Sequence, residues 1–65
     1  MKKVDLERRI ATLARDNGVG FTWVGGAKHD KYLVNGVTII VPRHREIGEM
    51  LAKKIFKDCE NALHR

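Results

Sequence analysis

Sixty-five residues and 7.4 kDa suffice for one domain, spanning 1–65. A chain this short buries only about 60% of the surface it exposes when unfolded, so its core must be compact. Thirteen lysines and arginines against eight aspartates and glutamates leave a net charge of +5, which points toward a polyanion, nucleic acid first, without separating RNA from DNA or from a membrane surface. Hydrophobic residues at 43% and a single proline argue for order and against a flexible tail. No apolar run approaches the ~20 residues of a membrane span, and Met1-Lys2-Lys3-Val4-Asp5 opens onto nothing resembling a secretion signal, so the expected location is cytoplasmic. The lone Cys59 excludes an internal disulfide.

In chain order, Leu6, Ile10, Leu13 and Ala14 recur at helical spacing within residues 3–17, with charged residues on the other faces. Asp5 suits the positive end of that helix, and Asn17-Gly18 supplies a left-handed stop. Phe21-Thr22-Trp23-Val24 is β-branched or aromatic throughout and predicts a short strand, ended by Gly25-Gly26. Asn35-Gly36 between two β-prone runs is the preferred hairpin turn. That turn sets Val34 opposite Val37, Tyr32 opposite Ile39, Asp30 opposite Val41 and His29 opposite Pro42. Tyr32, Val34, Val37, Ile39 and Val41 then form the core side, while His29, Lys31, Leu33, Thr38 and Ile40 form the other. Ile47, Leu51, Ile55, Cys59 and Leu63 repeat every four residues, widened by Ala52, Phe56 and Ala62, predicting a second helix from about Glu46 to about Asn61. The order is α-β-β-β-α. The predicted class is α+β, a three-stranded antiparallel sheet with both helices on one face and the other face open.

The positive excess concentrates around the hairpin. Lys28 and Lys31 flank His29 where the second strand starts, and Arg43-His44-Arg45 follows its partner strand at the same end. With a helix N-terminus expected directly after, these groups predict one anion-binding corner. Taken singly, each cation reads as a solvated surface residue. His29 is the candidate chemical group, since an imidazole with an unperturbed pKa of ~6.5 accepts and donates protons near neutrality. RNA carries a 2′-hydroxyl able to attack its own neighbouring phosphate, a reaction that asks for a base, cations and in-line geometry, with no metal and no cofactor. The plain alternative is a structural or surface histidine. His44 falls two residues beyond the position facing His29, in reach of the leaving oxygen, or is an ordinary loop residue. A metal site is not expected, because Cys59 belongs to the apolar stripe and the histidines lack ligand spacing. Tyr32 reads as core, and Trp23 is open between core and base stacking.

Asp5-Leu6 opening a first helix, Asn17-Gly18 closing it, Gly20-Phe21 leading into the first strand, His29-Asp30-Lys31-Tyr32, Val41-Pro42-Arg43-His44 and Glu46-Ile47 stand in an order that resembles the HicA-type (YcfA-like) toxins. These are small mRNA interferases of type II toxin-antitoxin systems. The resemblance covers nearly the whole chain and implies a fold like that of double-stranded-RNA-binding domains. It further implies that His29, in its H-x-x-Y setting, is the catalytic histidine of an endoribonuclease acting on mRNA, and that a HicB-like antitoxin binds the protein and covers the site. On that reading Lys28 and Lys31 attend the scissile phosphate, Arg43 and Arg45 hold the RNA backbone, and His44 is an auxiliary acid or base. Two other functions fit the same residues. One is a non-catalytic RNA-binding module, and the other a protein-interaction domain docking through Leu33 and Ile40.

Overall fold

Asn35 and Gly36 set the register of the sheet. In the computed structural model, which describes residues 1–64, both have positive φ, 49° and 79°. This is the backbone of a two-residue hairpin turn whose twist matches that of its strands. It joins β2 (His29–Val34) to β3 (Val37–Pro42), and the pairing is the one expected: Val34 with Val37, Tyr32 with Ile39, Asp30 with Val41, His29 with Pro42. The first strand, β1 (Phe21–Gly25), pairs antiparallel with β2 and makes the sheet order β1-β2-β3. Its register slips between Trp23, opposite Tyr32, and Gly25, opposite Lys31, so Val24 bulges out of the ladder.

Helix α1 (Lys3–Asp16) ends as its sequence predicts. Gly18, at φ 68°, donates to the carbonyl of Arg15, and Val19 donates to that of Ala14. Together these bonds satisfy two end carbonyls in the paired arrangement that a left-handed glycine makes possible. Helix α2 (Glu49–Leu63) returns across the same side of the sheet. Leu6 and Ile10 from α1, Val34, Ile39 and Val41 from the sheet, and Ile55, Cys59 and Ala62 from α2 form one buried cluster. Burial of a Leu, Ile or Val side chain is worth about 1.5–3 kcal/mol, and this cluster stabilises the domain without any disulfide. Cys59 is 1% exposed, and that burial, with Asp58 and Glu60 adjacent, pushes its thiol up to about 11. Its place in the core matches the helical stripe. No helix among the described residues is long and apolar enough to cross a membrane.

The start of α2 differs from expectation. Residues 45–47 run instead as an extended segment against the N-terminus: Lys3 donates to the Arg45 carbonyl at 2.8 Å and Ile47 to the Met1 carbonyl at 2.7 Å. Glu46 pairs with the Met1 amino group at 3.5 Å and lies outside the helix. Ile47 is 1% exposed, an anchor in the core placed before the helix starts. Leu51, expected in the buried stripe, is 38% exposed. A fourfold repeat marks which residues face inward, but it does not separate a helical position from a buried residue just ahead of the first turn.

Candidate functional site

His29 is the first residue of β2, and the pleat puts it on the open face beside Pro42, away from both helices' core stripes. Its side chain is exposed. His29 lines a recess of about 410 Å³ where the edge strand β3 meets α2, together with Thr38, Ile40, Leu51, Lys54 and Asp58. Lys54 and Asp58 pair with each other at 3.6 Å, one turn apart on α2. Lys28 and Lys31, both exposed, flank the histidine in the chain, and Lys31 shares its face of the sheet. Among the described residues neither lysine is in an ion pair.

Arg43, His44 and Arg45 follow β3 at the same end of the hairpin. They border a separate recess of about 780 Å³ with Lys2, Lys3 and Glu46, and it shares no lining residue with the one at His29. Arg43 stays at the His29 end of the hairpin, bonded to Gly26, Ala27 and Asp30, and with His44 and Arg45 it lines that other recess. Two physical reasons account for this. The strand pleat sends Pro42 to the open face with His29 and directs Arg43 toward Asp30 on the helix side, and the pairing of residues 45–47 with the N-terminus draws the chain alongside Met1–Lys3 before α2 begins. His44 lines the recess of Arg43 and Arg45 and not that of His29. The N-terminus of α2, capped at Gly48, begins only after that extended segment and carries Glu49 in its first turn.

A polar network occupies the place where the corner was expected. Asp30, with its side chain 13% exposed, binds Lys3 Nζ at 2.8 Å and Arg43 Nε at 3.0 Å, and accepts the indole N–H of Trp23 at 3.0 Å. The hydrogen bonds from Lys3, Trp23 and Arg43, Lys3's being strongest, outweigh burial and hold the Asp30 carboxyl down at about 2. Desolvation acts against the charge on Lys3, but its hydrogen bonds to Asp30 and Glu7 prevail and raise its pKa. Glu7 also accepts the Tyr32 hydroxyl, and burial together with that bond raises the Tyr32 pKa. The Tyr32 ring stacks on Phe21 at 4.6 Å, as a core residue should. Trp23, left open by the sequence, is 56% exposed with its N–H fixed on Asp30.

Neither this network nor Lys54 was found by sequence reasoning. One signal was present: the hairpin register sends Asp30 to the core side, where a carboxylate must find donors. Which donors was not readable, because Lys3, Trp23 and Arg43 come from three distant parts of the chain. Among the described residues no three His, Cys, Asp or Glu side chains gather in a way that would hold a metal ion. No protein-family model, curated protein or solved structure matches this chain.

Proposed function

We propose that this chain is a metal-independent endoribonuclease acting on mRNA in the cytoplasm, the toxin of a type II toxin-antitoxin pair, with a HicB-like antitoxin as its protein partner. The observation that carries the reading is the exposed His29 imidazole at the open end of the hairpin, between Lys28 and Lys31 and in one recess with Lys54. A phosphate drawn to those lysines brings the adjoining ribose within range of the ring. His29 removes the 2′-hydroxyl proton, the 2′-oxygen bonds to phosphorus, and the bond from phosphorus to the 5′-oxygen breaks, leaving a 2′,3′-cyclic phosphate and, once protonated, a 5′-hydroxyl. The lysines offset the charge that develops on the phosphoryl oxygens. Arg45, exposed on the neighbouring recess, extends the cationic track along the RNA backbone.

Acid–base help from one imidazole is worth about 10²–10⁴-fold, so turnover should be modest. In EDTA the protein should nick a long unstructured RNA, and His29→Ala should lower the rate by that factor with an unaltered circular dichroism spectrum. Equal cleavage by His29→Ala removes this histidine from the mechanism. Growth arrest on induction, relieved by co-expression of the neighbouring reading frame, tests the toxin role.

One observation favours a second reading, non-catalytic RNA binding. Among the described residues no side-chain hydrogen bond orients the His29 ring. A binder would shift RNA in a gel with affinity falling steeply as salt rises, and would leave every strand intact.

A further inference from the structure

The sequence offers Arg43 as a ligand for the RNA backbone, yet its guanidinium is already engaged. Nε donates to Asp30 at 3.0 Å, Nη2 to the Gly26 carbonyl at 2.6 Å and Nη1 to the Ala27 carbonyl at 3.3 Å. Three of its five donors are thereby spent on the protein. The two carbonyls belong to successive peptide groups, the last before Lys28 and His29. We infer that Arg43 is a positioning residue, which fixes the loop between β1 and β2 and thereby the base of His29, and does not itself take a phosphate. This inference rests on the nuclease reading of His29 for its catalytic consequence alone.

Two further observations support a loop of defined shape. Gly26 has φ 137°, a conformation side chains rarely adopt, and a Cβ added there would stand 1.9 Å from the His29 carbonyl oxygen and 3.1 Å from its carbon. The glycine thus lies directly on the peptide of the candidate residue, a close approach that only hydrogen at Cα permits. Second, Asp30, which follows His29, is fixed from three sides: Lys3 from α1, Trp23 from β1, and Arg43 from beyond β3. Arg43 therefore touches the chain on both sides of His29. A lysine at this position would keep the charge but not the planar fork that reaches three acceptors.

The test uses Arg43→Ala, Arg43→Lys and Gly26→Ala in the full chain, with backbone amide relaxation and RNA cleavage as readouts. In the parent protein residues 26–28 should have order parameters near 0.85, and in all three variants these should fall toward or below about 0.6 while the helices keep theirs. Cleavage by Arg43→Ala should lose about 10²-fold in kcat with KM little changed, the signature of a displaced group. The salt slope of RNA binding should not change. An ordered loop in Arg43→Ala, with weaker RNA affinity and a shallower salt slope, would overturn the inference and return Arg43 to the phosphate. Should Arg43→Ala fail to fold, Arg43→Lys decides: a loop as ordered as the parent's overturns the proposal. The two readings fail separately. A parent protein that never cleaves RNA removes the nuclease proposal and leaves the loop measurement standing.

Discussion

The two ends of the β2–β3 hairpin are held by different means. At the closed end, Asn35 and Gly36 shape the chain through their own φ angles, and the Asn35 side-chain amide donates to the Ala62 carbonyl at 2.8 Å, tying the turn to α2. At the open end no turn exists. There the strands are held in place by Asp30 and its donors, drawn from α1, β1 and the segment after β3. Local backbone preference makes the first end rigid at small cost. The second end depends on side chains that all must arrive, and it is the end that carries His29. A chemical group placed on a network can be tuned by residues that never touch a substrate; one placed on the tight turn could not.

The largest expected effect strikes what the two ends share. Ile39→Ala, at a position 2% exposed in the middle of β3, should cost about 2–5 kcal/mol, against a core that in a chain this small rarely supplies more than about 3–5 kcal/mol. Urea unfolding followed by circular dichroism should find the variant largely unfolded at 25 °C. A midpoint equal to the parent's would mean that the ends do not depend on one core. Gly36→Ala breaks the closed end alone, placing a side chain at φ 79° for about 1–2 kcal/mol. Its RNA cleavage per folded molecule should match the parent's, whereas lost activity in that variant would show the ends to be coupled. Tyr32→Phe removes the hydroxyl that Glu7 accepts and should lower the unfolding free energy by about 0.5–1.5 kcal/mol.

A further effect is confined to acid. Because the folded Asp30 carboxyl titrates at about 2, below its ordinary 3.8, its contribution to stability is complete above about pH 4 and is lost as pH falls through 2. Trp23, the only tryptophan, reports that step by fluorescence. Lys3→Ala should move the midpoint up further than Arg43→Ala, since the Lys3 bond is the strongest influence on the carboxyl. The opposite ranking would require Arg43 to dominate the network.

Much of the fold was legible because its determinants are short-range. Asn35-Gly36 specified the register through to His29 and Pro42, and Asn17-Gly18 specified the end of α1. The segment from Arg43 to Gly48 was not legible, since its extended course depends on Met1 and Lys3, more than forty residues away in the chain. Ile47 shows the difficulty: it obeys the helical repeat and is buried, yet it precedes the helix. At the site, exposure of His29 followed from strand alternation. The turning of Arg43, His44 and Arg45 into a different recess did not, because adjacency along a chain says nothing about which side of a sheet the next residue takes once the strand has ended.

The closed end also carries a liability in its chemistry. An asparagine followed by glycine is the sequence most open to ring closure by the next backbone nitrogen, with loss of ammonia, and asparagine is among the thermally labile residues. At Asn35 the group destroyed would be the amide that donates to Ala62, and the carboxylate left behind would confront the carbonyl-rich terminus of α2, where negative charge is unfavourable. Ageing of the purified protein should therefore unfasten the last turn of α2 from the hairpin while the His29 end keeps its shape. Mass spectrometry alongside amide exchange in that turn would show whether the two losses advance together.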